Sequence, residues 1–498
     1  MNNTTLVKTL VLFSAQELEE LETFVQSPFF NNGSHFNPIN RLFSLLQEAV
    51  LNDAVEVPNQ ETVAQLISEA GKPVSKRYVD NLIAELLGMV RQYIAWKGIQ
   101  HNWGPAQEEL LNAQFYQQRG ALNLKERTLK RARKTLDKEL HHPLESPLLW
   151  YYLEDSFLKL KSLRNNRQGD LNLPATIENL TLFYATKLLD LSMLQMQQKR
   201  VYPDYKPKWD KLLRETRAVF RSQRYFNDPT VQLMDEAILL FEQTSGQPLQ
   251  QIESFLQLFD EYQAELPEPI LKSLATFARN FCTWQCNIGQ MDLYPLYFQL
   301  YRDHFERGWL YVNGKIPQSV FLNLVTSGLR EKEFEWVKHI IEDHKDKVEG
   351  EDREKLLHYS KALYYLTAGD LDKAHSHFKE MLSYPKFNDT NWNSLVYTLE
   401  IKIYYYKGEH EQLSNCLNNY RMYLRRNDRY YDQDNRERKF RFIQLVRQLT
   451  ELQRDIRYKL IDQKEATERL TALKEELSAP QPVTERWWLL GEVGGIEV

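Results

Sequence analysis

Turn-forming residues are scarce in this 498-residue chain: 18 glycines and 19 prolines make up about 7% of it, against about 12% in average proteins. A sandwich or barrel needs its own turn chemistry after every short strand. An all-β fold is therefore excluded, and long helices are the alternative. Cysteine is scarcer still. Cys282, Cys286 and Cys416 are too few for a disulfide framework, so a reducing compartment is expected. No stretch approaches the roughly 18 consecutive apolar residues that a membrane-spanning helix needs. The early apolar run from Leu6 to Phe13 is interrupted by Lys8 and is followed by no small-residue cleavage site, so no signal peptide is expected. A cytoplasmic protein without membrane association is the resulting expectation. Nor is there an excess of one charge. With 63 Lys and Arg against 68 Asp and Glu, the net charge is −5, which excludes a broadly basic chain that coats nucleic acid.

What the chain does have is apolar and aromatic bulk. The hydrophobic fraction is 42%, with 27 tyrosines, 24 phenylalanines and 10 tryptophans, enough for extended buried cores and contrary to intrinsic disorder. Ser14 and Glu17 form a capping-box pattern that opens the first expected helix, which Leu18, Leu21 and Val25 continue until Ser27-Pro28. Residues 36–51 carry Ile39, Leu42, Phe43, Leu46 and Val50 at helical spacing. From Ser75, the positions Val79, Leu82, Ile83, Leu86, Val90, Tyr93 and Ile94 make a clean amphipathic stripe. Gly98 and Gly104-Pro105 then close an N-terminal helical domain, residues 1–104. Divergent helical hairpins are expected over 105–265. Their longest uninterrupted piece, 174–200, presents Leu180, Phe183, Tyr184, Lys187, Leu188, Leu191 and Leu194 as one face.

The last 230 or so residues hold a weak internal repeat, the mark of a solenoid. Around Gly369, Ala362 lies seven before, Tyr365 four before, Ala374 five after and Phe378 nine after. Small residues let two antiparallel helices approach, glycine permits the sharp turn, and aromatics fill the space toward the next hairpin. Gly408 repeats part of this with Tyr404, Leu413 and Leu417, and Gly289 does so with Cys282 and Phe298. Lys332 stands where a fourth turn is due, with Val325, Val337 and Ile341 at the equivalent offsets and no glycine. Successive turns are 43, 37 and 39 residues apart, a tetratricopeptide-like rather than a consensus array. It covers residues 266–460, leaving 461–498 as a C-terminal helix and tail. The fold class is thus all-α: an N-terminal helical domain followed by an α-α hairpin solenoid.

Four stretches carry a resemblance: LEELETFVQSPFFNN, LKSLRNNRQGD, NLVTSGLREKEFEWVKHIIEDH and IYYYKGEHEQLSNCLNNYRMYLRRN. In this order along nearly the whole chain, they resemble a family of uncharacterised bacterial proteins with tetratricopeptide-like repeats. The resemblance implies architecture, an N-terminal helical domain followed by an all-helical repeat array. It carries no reaction, cofactor or ligand.

Candidate chemistry is thin. Cys282 and Cys286, spaced i, i+4, share a helical face where a metal or redox pair could form; but Cys282 fills the small-residue slot of a hairpin, and packing is the favoured reading. His339 and His344, with Glu342 and Asp343 between them, would diverge by about 140° on one helix. His375-Ser-His377 likewise lacks metal-ligand spacing, and both pairs read as solvated helix surface. No phosphate loop, dinucleotide fingerprint, nucleophile elbow or kinase signature is present, so the chain is read as non-enzymatic, without cofactor or metal.

Two basic clusters stand out. Residues 125–138 hold Lys125, Arg127, Lys130, Arg131, Arg133, Lys134 and Lys138. Residues 421–441 hold eight cations interleaved with Tyr423, Tyr430 and Tyr431. Arginine and tyrosine together clamp acidic peptide groups or stack on bases; as ordinary surface, they only decorate and pack an array. Should one cluster bind a partner, the second is chosen, because it lies at the expected end of the array where a groove opens. Arg421, Arg425, Arg426, Tyr430 and Tyr431 are its partner-binding candidates. Trp487-Trp488 in the tail is expected to dock back over the last hairpin. The expected function is a scaffold that holds a protein or peptide on its repeat surface. The alternative is a nucleic-acid-linked regulator acting through residues 421–441 or the N-terminal domain.

Overall fold

The computed structural model describes residues 4–52, 58–67, 74–102, 104–138, 146–164, 171, 173–201, 205–206, 208–221, 228–242, 247–385, 387, 389–431, 433–479, 481 and 483–496. Among them there are α-helices, short 3-10 turns and two isolated β-bridges, and no strands. The chain divides into two units, Met1–Glu139 with Leu149–Thr176, and Leu140–Leu148 with Ile177–Val498.

The first unit contains α1 (Thr5–Leu10), α2 (Ala15–Gln26), α3 (Phe36–Leu51), α4 (Gln60–Leu66), α5 (Lys76–Asn102), α6 (Pro105–Gln118), α7 (Leu122–Leu136) and most of α8 (Ser146–Leu163). The capping box forms as the sequence requires. Ser14 Oγ accepts from the Glu17 amide at 3.3 Å, and the Glu17 carboxylate accepts from the Ser14 amide at 2.8 Å. It opens the second helix, not the first: α1 precedes it and buries Leu6, Val7 and Leu10, three residues of the early apolar run. The α5 stripe is buried at Val79, Leu82, Leu86, Val90 and Tyr93, while Ile94 is exposed. Ile94 stands one residue, 100° of rotation, past Tyr93 and so leaves the buried face. Gly98 does not end this helix, which continues to Asn102. One core gathers α1 to α5, and a second gathers α6, α7 and α8.

The second unit contains most of α9 (Leu173–Val201), then α10 (Asp210–Arg221), α11 (Pro229–Glu242), α12 (Pro248–Tyr262), α13 (Glu268–Asn287), α14 (Tyr294–Glu306), α15 (Gln318–Arg330), α16 (Phe334–Asp343), α17 (Arg353–Thr367), α18 (Leu371–Ser383), α19 (Thr390–Lys407), α20 (His410–Arg426), α21 (Gln433–Arg457), α22 (Gln463–Ser478) and α23 (Arg486–Gly494). From α11 onward each helix packs on its neighbour. First helices of successive hairpins also pack on each other, α15 on α17 and α17 on α19, as stacked antiparallel pairs require.

In α9 the expected face is the wrong one. Leu180, Tyr184, Leu191 and Leu194 are 45–59% exposed, whereas Ala185, Thr186, Leu189, Ser192 and Met193 are buried. Both faces of this helix are apolar enough to serve. The one with alanine, threonine and serine admits the closer approach, and it joins a core with Phe220 and Val231.

The hairpin turns explain the repeat. After α17, the Asp370 amide donates to the Tyr365 carbonyl at 2.9 Å and the Gly369 amide to Leu366 at 3.2 Å, with Gly369 at φ +85°. That bond pair satisfies two of the carbonyls a helix end leaves open. It recurs at Gly289, Gly408 and Lys332, which with Gly369 make the four expected turns, and also at Gly120, Gly308 and Lys459. Lys332 adopts φ +62° with a Cβ in place. Ala362 and Ala374 are fully buried between their helices, and Phe378 is nearly so. At the Lys332 turn the close approach falls on Gly328, where a Cβ would stand 2.5 Å from Val337 Cγ2.

Candidate functional site

Arg421, Arg425 and Arg426 are exposed on the last turns of α20, whose opposite face buries Leu413, Cys416, Leu417, Tyr420 and Leu424. Tyr430 is exposed in the short turn that follows, beneath the Arg429 guanidinium at 4.7 Å, and Arg429 donates to its hydroxyl at 2.6 Å. Tyr431 is placed differently. It is 7% exposed, packs in a core with Tyr420 and Leu424, and donates its hydroxyl to the Thr390 carbonyl at 2.8 Å. The structure thus leaves the three arginines exposed on α20, Arg421 and Arg425 one turn apart and Arg426 about 100° of rotation further round, and sends Tyr431 inside. Nor does the array end here: α21, α22 and α23 extend the stack, so the groove expected from a terminus is not formed at this point.

In the other basic cluster three of the seven cations meet carboxylates. Arg131 grips Glu109 with two bonds at 2.8 and 3.0 Å, Arg133 meets Glu154 at 2.5 Å, and Lys130 meets Glu126 at 2.7 Å. Lys125 is buried, with its ammonium on Gln117 at 2.6 Å, and burial lowers its pKa.

The histidines correct one expectation. His339 and His344 do not diverge; their rings lie 5.2 Å apart, edge to face. Helix α16 ends at Asp343, so His344 turns off the helix and back toward His339. His377 meets His358 at 3.2 Å, not its sequence neighbour His375, which faces Lys407 at 3.0 Å. Among the described residues no group of three or more His, Cys, Asp or Glu could hold a metal ion. Cys282 and Cys286 are buried, and burial pushes both thiols up, Cys286 to about 12, far from the thiolate that metals and disulfide exchange need.

The most structured constellation lies where the C-terminal segment returns to the array. Trp488 is 5% exposed and packs edge-on to Tyr405 at 5.1 Å and against Phe442 at 6.1 Å, with its indole N–H donating to the Tyr406 hydroxyl at 2.8 Å. Lys402, a turn earlier on α19, holds the Glu485 carboxylate at 2.6 Å. The Tyr406 hydroxyl donates to Glu492. Burial, reinforced by that carboxylate, pushes the Tyr405 and Tyr406 phenols far above their usual range. Trp487 points the other way and is 44% exposed. The Arg330 guanidinium, at the end of α15, lies between its ring (5.0 Å) and that of Tyr294 (3.0 Å). A Cβ at Gly289, just past α13, would come within 3.1 Å of the Arg486 guanidinium. Docking of the tail was legible in the sequence, but it is Trp488 that docks while Trp487 stays half out, and the receptor was not legible. Lys402, Tyr405, Tyr406 and Arg330 belong to helices whose sequences read only as packing surface. The run Tyr404-Tyr405-Tyr406 was the one available signal, being more aromatic than a single buried face requires.

The class this structure defines is an all-α protein of stacked antiparallel helix pairs. No family model, no curated protein and no solved structure matches the chain. Among the described residues no helix is long and apolar enough to cross a membrane.

Proposed function

We propose that this chain is a non-enzymatic scaffold that holds a protein or peptide on a tetratricopeptide-like array, on the face formed by the first helices of its hairpins. One observation carries the reading: that face already holds a peptide segment, the chain's own residues 483–493, through a half-buried ion pair and an aromatic slot. Repeats of this kind present extended surfaces built from successive first helices, and the glycine, small-residue and aromatic offsets of the hairpins support the tetratricopeptide-like assignment. The reading takes the protein as cytoplasmic, in keeping with three buried, free cysteines.

The test is site-specific photo-crosslinking in cells, with the reactive side chain at position 406 on the first-helix face, at position 425 in the arginine surface, and at position 464 as an exposed control. The reading expects a discrete protein adduct from position 406 that is absent from position 464. An adduct from position 425 alone would move the surface to α20, and no adduct from either would sink the scaffold reading.

A further inference from the structure

The footprint of the C-terminal segment is unlike that of an ordinary terminal cap. A cap covers the last hairpin, and Trp488, Leu489 and Val493 do join the core of α19 to α22. The start of the same segment reaches much farther back, Arg486 to the turn after α13 and Trp487 to Arg330 at the end of α15. Besides α22, it meets the turn after α13, the end of α15, α19 and α21, which are first helices or their turns. It therefore lies along the face that successive hairpins hold in common.

Two anchors hold it. Lys402, whose side chain is only 11% exposed, meets Glu485 at 2.6 Å, and three positions later Trp488 fills the slot of Tyr405, Tyr406 and Phe442. A buried tryptophan filling an aromatic slot is the kind of anchor that dominates binding energy at protein interfaces, and the half-exposed charge pair beside it fixes its register. The fit is nonetheless imperfect at its leading end. Glu485 sits at φ +54° with a Cβ in place, the Arg486 Nε is buried without a hydrogen-bond partner, and Trp487 is half out in solvent. Strained backbone and an orphaned donor both weaken a bound segment, so a segment in trans with the same anchors and neither defect would bind more tightly than the tail does.

We infer that residues 483–493 are a displaceable internal ligand, and that the partner of this face carries a helical segment with an acidic side chain followed three positions later by a tryptophan, as Glu485 is followed by Trp488. The inference rests on the scaffold reading above and adds to it the chemistry of the partner and a means of regulation. A tethered segment competes at an effective concentration in the millimolar range. At about 10 μM, a free peptide of equal affinity therefore occupies about 1% of wild-type chains. Loosening the tail about 100-fold makes the two compete equally, so a peptide whose own Kd is well below about 10 μM occupies about half of them.

The probe is a fluorescein-labelled peptide of residues 481–496, read by anisotropy on the full-length chain. Trp488→Ala and Glu485→Lys chains are expected to bind it near half-occupancy at about 10 μM, the wild type about fifty-fold less. A probe carrying Trp488→Ala should bind none of them. Adding Lys402→Glu to the Trp488→Ala chain should abolish binding of the native probe and restore binding of a probe carrying Glu485→Lys. If Trp488→Ala prevents folding, the Glu485→Lys chain decides, since that residue is on the rim. Folded variants that bind no probe, or a wild type that binds it as well as they do, would overturn the inference. Either result together with a cross-link from position 406 would leave the scaffold reading standing; absence of a cross-link from both 406 and 425 would remove both.

Discussion

Buried His304 gives the array a specific weakness to acid. The side chain is 6% exposed in α14, and the Arg279 guanidinium donates to its Nδ1 at 2.6 Å. Nδ1 must therefore be an acceptor and the ring neutral, with its proton on Nε2. Protonating Nδ1 would set two cations against each other where little water enters. Burial, then Arg279 and Arg307, accordingly lower its pKa from 6.5 to about 3. A base whose folded pKa is depressed binds fewer protons in the native than in the unfolded chain at every pH between those two values. Its stabilising contribution is thus intact above about pH 6.5 and is lost progressively as pH falls toward 3. From pH 7.5 to pH 5 the loss is about 2 kcal/mol, close to 30-fold in an opening equilibrium. The assay is hydrogen exchange of the α13 and α14 amides, corrected for intrinsic rates, in the wild type and in His304→Gln. The amide of Gln keeps an acceptor for Arg279 and does not titrate. Burial also lowers the pKa values of His344, His375 and His377, which contribute to the acid response of both proteins and cancel in the comparison. The wild type should lose about 2 kcal/mol more protection than His304→Gln over this range. Parallel pH profiles would refute the assignment of a neutral, arginine-bonded imidazole.

Other expectations follow from the turns and faces. Lys332→Gly should stabilise the second unit by about 1 kcal/mol, because it relieves a left-handed backbone at a residue with a Cβ. Gly328→Ala, four residues earlier, should cost about 1–3 kcal/mol by driving a methyl into Val337 and Trp336. Both are read from urea midpoints, and a reversal of either sign would undo the account of this hairpin. On α9, Leu191→Glu should change stability by less than about 0.5 kcal/mol and Leu189→Glu should cost more than about 3 kcal/mol, since only the second residue is buried. Equal effects in thermal melts would return the helix to the face its sequence first indicated. Trp488→Ala should cost about 3–5 kcal/mol in the exchange protection of α21 and Trp487→Ala under about 1 kcal/mol, following their opposite burial.

Much of the architecture is local and so was written in the chain. Scarce turn residues and helical apolar spacing fix an all-α fold. The Ser14–Glu17 capping box involves only residues three apart, and the Gly289, Gly369 and Gly408 turns close through bonds within six residues. Even the Lys332 turn was legible without its glycine, because the small and apolar residues flanking it keep the register of the other hairpins. Three things were decided only by tertiary packing. Which of two apolar faces of α9 goes inside depended on how closely its neighbours could approach. Whether His339 and His344 meet depended on where α16 stops. The receptor for Trp488 is assembled from α19 and α21, with Glu485 tied 83 residues away to Lys402. No local pattern encodes such a pairing, since each partner satisfies its own helix's periodicity equally well with or without the other.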